Sequence, residues 1–267
     1  MYYCSIKLPF QPEFSIMTPQ VELIEQIRIS FGDNYVFENS AISSNIISIK
    51  NKNGEYLVGY RGVEINTIHP VAAIQNIVKE NTYYENQYLV LHGAAVAHQH
   101  KASVFLAPTL GGKTTLTSFL VANGFQYITE DCVFINTSNM TIYPYSAPIH
   151  LRLDSINILK AHGVKLDALS RISCRDSERF IYLPRNCVKQ PLPIQNIFIL
   201  ARNDLVNKTI LISEMERIYI YFKSLLSSSL IASSRKHILE LSKKESRILL
   251  YKDMSYVRDM IKNTEGL

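Results

Sequence analysis

A short run of residues, 106–115, has the spacing of a loop that binds the phosphate groups of a nucleotide. The usual pattern is G-x-x-x-x-G-K-[ST]. Ala107 stands at the position of the first glycine, whereas Gly112, Lys113 and Thr114 match the remaining positions. A glycine lets the backbone turn sharply, a lysine reaches the β- and γ-phosphates, and a threonine hydroxyl binds Mg²⁺. These residues therefore predict a phosphate-binding loop with an alanine at its first position.

The residues on either side of the loop favour the same interpretation. Residues 101–107 are mostly apolar, as in a buried strand, and residues 114–123 place apolar side chains at helical spacing before Gly124. A strand, a tight loop and a helix direct free N–H groups and the positive end of a helix dipole towards an anion. The alternative is a coincidental glycine turn. The predicted nucleotide-binding residues are Leu110, Gly111, Gly112, Lys113, Thr114 and Thr115.

Two adjacent acids, Glu130 and Asp131, follow a short predicted strand over residues 125–129. Beyond the helix of a phosphate-binding loop, one carboxylate can position Mg²⁺ while the other accepts a proton from a hydroxyl group. The alternative is an ordinary acidic turn at the end of a strand. The position of the pair after the loop favours the catalytic interpretation.

Other polar residues are weaker candidates. His92 interrupts an apolar strand predicted over residues 88–97, where a histidine is either a hydrogen-bonded core residue or a catalytic group. Basic residues are also frequent between His150 and Gln190, and one or two of them can neutralise phosphoryl charge while the rest are solvated. They are Arg152, Lys160, Lys165, Arg171, Arg175, Arg179, Arg185 and Lys189.

The order of these motifs resembles the catalytic core of bacterial HPr kinase/phosphorylase. The matching segments are Leu91-His92-Gly93-Ala94, the loop, Asn123-Gly124-Phe125 and Thr129-Glu130-Asp131-Cys132-Val133, so that the resemblance spans roughly residues 88–152. The sequence is most similar to the short HPr-kinase-like proteins that accompany peptide-modification clusters such as those for lasso peptides. The resemblance implies a P-loop kinase core of the HPr kinase/PEP carboxykinase-like type.

The resemblance also implies roles for individual residues. Lys113 and Thr114 hold the triphosphate and Mg²⁺, and Asp131 is a Mg²⁺ or base carboxylate. Glu130 takes the place of the family's first aspartate, the proton acceptor, and His92 matches the histidine beside that acceptor. Catalytic roles thus fall to Glu130, Asp131, His92 and Lys113, and metal binding to Thr114 and Asp131. Arg152 lies only loosely where the family has an arginine and a further acidic metal ligand, and no glutamate stands there.

The chain is expected to be a mixed α/β protein in two parts. With 267 residues, 47% of them hydrophobic, it can bury a sizeable core. Residues 1–86 are predicted to form a small α/β unit, and residues 87–267 the nucleotide-binding catalytic domain. The polar, tyrosine-rich residues 81–86 mark the expected boundary.

Periodicity and turn residues predict several elements around this core. They are a first strand over residues 1–6, helices that begin near Thr18-Pro19 and His69-Pro70, strands at 45–50 and 55–61 joined by an Asn-Gly turn, a strand at 197–200, and a helix from Ser213 to about Ser227 with a capping box at Ser213 and Glu216. The serine run at 227–229 is expected to break that helix.

Composition excludes some classes of protein. The four cysteines form no C-x-x-C pair, which argues against a zinc site or a disulfide framework and fits a cytoplasmic protein. No apolar run reaches the length of about 18 residues that suggests a membrane span, so no membrane partner is expected. The net charge of +5 suits an anionic nucleotide, an acidic peptide or nucleic acid and does not choose between them. The absence of basic patches interleaved with aromatic residues argues against nucleic acid.

Together these features predict a kinase that uses ATP and Mg²⁺ to phosphorylate a serine or threonine of a peptide or protein, such as a ribosomal precursor peptide. The alternatives are a kinase for a small-molecule alcohol and a non-catalytic nucleotide-gated regulatory module. The strands at 45–50 and 55–61 offer a candidate edge for peptide binding, unless the first unit only covers the kinase core. The acceptor, the choice between ATP and GTP, and the formation of a homo-oligomer are left open.

Overall fold

The computed structural model describes residues 1–8, 13–41, 43–83, 88–166, 170–174, 177–226 and 231–263. The chain divides into two compact units. The N-terminal unit consists of Met1–Asn86 with Ser146–Pro148, and the C-terminal unit of Gln87–Tyr145 with Ile149–Leu267. The serine run at 227–229, the last residues of the expected boundary at 84–86, and Arg175 lie outside the described residues.

The N-terminal unit is a six-stranded sheet with two helices. Its elements are β1 (Tyr2–Ile6), β2 (Phe14–Thr18), α1 (Val21–Phe31), β3 (Tyr35–Glu38), β4 (Asn45–Lys52), β5 (Glu55–Tyr60), β6 (Val63–Thr67) and α2 (Pro70–Tyr83). The strand order is β3-β1-β2-β4-β5-β6, with β2 and β4 parallel and the other neighbours antiparallel. The predicted first strand, hairpin and two helices are confirmed, with boundaries shifted by one to three residues at the strands and helix starts.

The predicted peptide-binding edge in this sheet is wrong. Both β4 and β5 have a hydrogen-bonded strand on each side, so neither offers free backbone groups to a peptide. The sheet ends instead at β3 and at β6, a strand that the sequence analysis did not predict. Val58 on β5 is fully buried, whereas Val63 on β6 is 64% exposed. The turn residues made the β4–β5 hairpin recognisable, but no comparable signal predicted β6, which pairs with the outer edge of β5.

The C-terminal unit contains the phosphate-loop segment in a larger mixed sheet. The elements that form its main sheet and the helices on it are β7 (Leu89–His98), β8 (Lys101–Leu106), α3 (Lys113–Ala122), β9 (Gln126–Thr129), β10 (Cys132–Asn136), β11 (Thr141–Tyr143), α4 (Leu153–Ala161), β15 (Leu192–Arg202), β16 (Lys208–Leu211), α5 (Glu214–Lys223), α6 (Ile231–Ser242), β17 (Arg247–Tyr251) and α7 (Met254–Asn263). The strands β12 (Ile149–Leu151), β13 (Ser170–Cys174) and β14 (Ser177–Tyr182) form a small separate sheet.

The strand order of the main sheet is β11-β10-β7-β8-β15-β17-β16, with β9 also paired to β7. The central strands β8, β15 and β17 are parallel to one another, and the flanking strands are antiparallel. A parallel strand is usually covered on both faces, and β8 follows this rule. Phe105 belongs to the apolar cluster with α3, α4 and α7, whereas Val104 and Leu106 belong to the cluster with α5 and α6.

The predicted mixed α/β fold class is confirmed, and the last predicted helix is shorter than expected. Helix α5 begins after the capping box of Ser213 and Glu216, as predicted, but ends at Lys223, with Ser224 as its last cap. Among the described residues, Cys4, Cys132 and Cys187 are not joined in disulfide bonds. Within the described part of the chain, no helix has both the length and the apolar character needed to cross a bilayer.

The corrected strand order predicts unequal effects of two matched substitutions. Val58→Ala removes two buried methyl groups and should lower the free energy of unfolding of the N-terminal sheet by about 2 kcal/mol. Val63→Ala makes the same chemical change on the exposed strand β6 and should cost less than about 0.5 kcal/mol. Hydrogen exchange of the β4–β6 amides measures both values. Equal losses at the two positions would show that β6 is not the sheet edge.

Candidate phosphate-binding and phosphoryl-transfer site

The candidate site lies at the carboxyl ends of the three parallel strands. Leu106, the last residue of β8, pairs with Ile199 of β15, and Arg202 at the end of β15 pairs with Tyr251 at the end of β17. In sheets with parallel strands and helices on their faces, ligands bind in the crevice outside these ends. The loop at 107–112 leaves β8 at this edge and enters α3. The strand order therefore brings three distant parts of the sequence to the loop.

The loop has the backbone conformation that its glycines allow. Gly112 has φ of +88°, where a residue with a side chain is strained, and Leu110 has φ of +68° with its side chain 75% exposed. The Gly111 N–H donates to the Pro108 carbonyl at 3.0 Å. Helix α3 begins at Lys113 directly after the turn. The first N–H groups of a helix lack intrahelical partners and carry partial positive charge, so they face outward as an anion site.

Ala107, the departure from the usual pattern, packs against Gly111. A methyl group on Gly111 would lie 2.6 Å from the Ala107 Cβ and 3.0 Å from the Pro108 carbonyl oxygen. Ala107 itself is absent from the positive-φ residues, so its backbone does not require glycine. The close approach of residues 107 and 111 thus requires glycine at position 111 and not at the first position of the loop.

The Lys113 side chain is folded into the loop. Its Nζ donates to the carbonyl of Ala107 at 2.9 Å and of Pro108 at 3.3 Å, and the residue is only 5% exposed. Burial lowers the pKa of Lys113, and the negative charges of Asp131 and Glu130 oppose that shift. The charges of both acids therefore favour the protonated ammonium group, and an anion can replace its two carbonyl acceptors.

The first turn of α3 is tied to both neighbouring segments through hydroxyl groups. The Thr114 hydroxyl donates to Glu130 Oε1 at 2.5 Å, and Glu130 is only 7% exposed. The Thr115 hydroxyl donates to the Ser155 hydroxyl of α4 at 2.9 Å. Among the described residues no three His, Cys, Asp or Glu side chains cluster as a metal site. One hydroxyl and one carboxylate nevertheless fit Mg²⁺, which commonly binds few protein groups and completes its shell with phosphate oxygens and water.

The second acid points the other way. Asp131 has φ of +73° in the turn between β9 and β10, which is closed by a 2.7 Å hydrogen bond from the Thr129 hydroxyl to the Cys132 carbonyl. Its side chain is 59% exposed, and its Oδ1 lies 3.7 Å from His92 Nε2. The sequence analysis expected His92 beside Glu130, and the 3.7 Å contact adds Asp131 as a neighbour of His92. The left-handed backbone at Asp131 turns the two consecutive carboxylates in different directions.

One cleft collects every predicted site residue. Its volume is about 740 Å³, and its wall includes His92, Glu130, Asp131 and the loop from Leu110 to Thr115. Of the basic residues named from the sequence, Arg152 and Arg179 line the cleft, whereas Lys160, Lys165, Arg185 and Lys189 do not.

The sequence analysis missed another group of residues that line the cleft. These are His150, Asp154, Ser155, His162, Arg202, Tyr251 and Lys252. Arg202 and Tyr251 could have been suspected from their positions at strand ends, but only the parallel pairing of β15 and β17 places them beside the loop.

The chain is 13% identical to the Hpr(Ser) kinase/phosphatase from Coxiella burnetii, with a TM-score of 0.30, over 66% of this chain and 99% of that chain. No family model and no curated protein matches the sequence.

The packing of Ala107 against Gly111 predicts how the loop tolerates substitution. Ala107→Gly should leave the affinity for ATP·Mg²⁺ within about threefold of wild type, since the Ala107 backbone needs no glycine. Gly111→Ala should weaken binding at least tenfold, because the added methyl group must push the loop apart. Isothermal titration calorimetry on both variants measures the difference. A tenfold gain in Ala107→Gly would instead mean that the native loop is strained.

Proposed function

We propose that the protein is a Mg²⁺-dependent kinase that transfers the γ-phosphoryl group of ATP to a serine or threonine hydroxyl of a peptide or protein. The observation that carries this proposal is that the two adjacent acids have different environments. Glu130 accepts a hydrogen bond from the loop hydroxyl of Thr114, whereas Asp131 is exposed in the cleft beside His92. A module that only bound nucleotide would need the first contact but not the second.

The loop would bind the triphosphate. Backbone N–H groups from Leu110 to Thr115 and the dipole of α3 supply positive charge, and Lys113 can exchange its contacts with the Ala107 and Pro108 carbonyls for phosphate oxygens. This exchange would move the ammonium group of Lys113 away from the loop carbonyls and into contact with the negatively charged phosphates.

Thr114 and Glu130 would hold Mg²⁺ together with phosphate oxygens, and the ion when bound neutralises charge on the phosphates. Both residues contact each other already, so little movement is needed to present a hydroxyl and a carboxylate to the same point. The sequence analysis assigned metal binding to Asp131 and the proton to Glu130. The contacts favour the opposite assignment, in which the buried acid serves the metal and the exposed acid the acceptor.

Asp131 would accept the proton of the acceptor hydroxyl. The hydroxyl oxygen forms a bond to the γ-phosphorus, the bond from that phosphorus to the β–γ bridging oxygen breaks, and ADP leaves with the electron pair. The proton passes to Asp131, and His92 at 3.7 Å can orient this carboxylate. Arg152, Arg179 and Arg202 line the same cleft and can neutralise charge on the equatorial phosphoryl oxygens.

A peptide or protein acceptor is supported by the sequence resemblance, in which the order of His92-Gly93, the loop and Glu130-Asp131 matches kinases that act on serine. Incubation with γ-labelled ATP, Mg²⁺ and a library of serine- and threonine-containing peptides tests this class of acceptor. Transfer of label to peptides supports the proposal, and transfer only to small alcohols would replace it.

Lys113 provides the first test of nucleotide binding. Lys113→Ala removes a charge-assisted contact and should weaken the binding of ATP·Mg²⁺ by about 1.5–3 kcal/mol. Lys160→Ala on α4 is the matched control, because Lys160 is exposed and does not line the cleft. Calorimetry that gives Lys113→Ala the same affinity as wild type would remove the basis of the proposed function.

Substitutions of the two acids should impair different steps. Asp131→Asn should retain ATP·Mg²⁺ binding but lower the rate of transfer by at least about a hundredfold, because the proton acceptor is lost. Glu130→Gln should raise the Mg²⁺ concentration needed for half-maximal ATP binding. Mg²⁺ titrations and single-turnover rates on both variants separate these effects. A raised Mg²⁺ requirement in Asp131→Asn alone would restore the roles that the sequence suggested.

A further inference from the structure

Tyr251 brings a buried ring to the edge of the phosphate loop. It is the last residue of β17 and pairs with Arg202 at the end of the parallel strand β15. The ring belongs to the apolar cluster on the α3 side of the sheet, and the residue is only 5% exposed. A tyrosine fixed in this way has a hydroxyl group whose position is set by the packing of the ring.

The Tyr251 hydroxyl lies against the backbone of Gly112. A methyl group built on Gly112 would be 2.8 Å from Tyr251 Oη, closer than two such atoms normally approach. Gly112 is the residue with left-handed backbone that directly precedes α3. The hydroxyl therefore stands at the point where the loop turns its N–H groups towards a bound anion.

This hydroxyl has no hydrogen-bond partner among the residues that the structure describes, although it lines the cleft. Tyr221, by contrast, shares a 2.6 Å hydrogen bond with Ser246. Leaving a hydroxyl group on a buried ring without a partner is unfavourable unless it reaches water or a ligand. Replacing Tyr251 by phenylalanine would fill the same space, so that packing alone does not explain the hydroxyl.

The environment makes Tyr251 a donor to an anion. Burial raises the pKa of Tyr251 above its ordinary value, although the neighbouring Arg202 opposes the shift, so the hydroxyl keeps its proton near neutral pH. Arg202, which pairs with Tyr251, and Lys252, which follows it in the chain, line the same cleft and add positive charge. A neutral O–H donor in a cleft that also holds two cations and a helix N-terminus suits a phosphate oxygen.

We propose that the Tyr251 hydroxyl donates a hydrogen bond to a phosphate oxygen of the nucleotide held by the loop, so that the end of β17 forms a second wall of the phosphate site. This inference rests on the proposed nucleotide binding. It adds a phosphate-binding side chain that lies far along the chain from the loop and that no phosphate-loop pattern contains.

Tyr251→Phe tests the inference, because it removes only the hydroxyl group. Calorimetry should show binding of ADP·Mg²⁺ and of inorganic pyrophosphate·Mg²⁺ weakened about tenfold or more, as expected for a lost hydrogen bond to a charged group. The thermal unfolding midpoint of the ligand-free protein should stay within about a degree of wild type, because the hydroxyl has no partner to lose. Tyr256→Phe on α7 is the control, since Tyr256 does not line the cleft and both affinities should be unchanged.

The outcomes separate this inference from the proposed function. If wild type and Tyr251→Phe bind both ligands equally, the inference is wrong while the kinase proposal stands. A loss for ADP without a loss for pyrophosphate would place the hydroxyl on the nucleoside and also overturn it. A fall of several degrees in the ligand-free midpoint would show that the hydroxyl has a structural partner. Failure of wild type to bind any nucleotide would overturn both proposals.

Discussion

The hydrogen bond from Thr114 to Glu130 is the contact on which the rest of the site depends. It joins the first turn of α3 to the turn between β9 and β10, and both α3 and β9 also pack on β7. Glu130 is nearly buried, so the hydroxyl group that satisfies it also fixes the helix start relative to the acids. The orientation of Asp131 follows, because the same tight turn that directs Glu130 inward directs its neighbour outward to His92.

Charge in the cleft is arranged around this contact. The charges of the two carboxylates favour the protonated ammonium group of Lys113, and Arg152, Arg179 and Arg202 line the same cleft. The Lys113 ammonium group donates to two carbonyl groups of its own loop. A polyphosphate with its metal ion offers this set of groups stronger partners than it now has, and a neutral ligand does not. The cleft is therefore matched to an anion and not to an apolar molecule.

Local features of the site could be predicted from the sequence, whereas its assembly could not. The loop, α3 and the acid pair follow from residues that are close in sequence, so spacing and turn chemistry were sufficient. Arg202 and Tyr251 reach the loop only through parallel pairing of distant strands, which no local pattern encodes. The contact of His92 with Asp131 depends on the left-handed backbone of Asp131. Aspartate tolerates this conformation, but the residue type alone does not predict it.

Hydrogen exchange of the α3 start with and without ATP·Mg²⁺ tests the central claim most directly. If the loop binds the triphosphate, the amides of Leu110 and of residues 112–115 should exchange at least tenfold more slowly with ATP·Mg²⁺ than without ligand, because phosphate oxygens replace water as their acceptors. Adenosine at the same concentration should give no such protection. Unchanged exchange of these amides at ATP concentrations that saturate any binding would contradict the account.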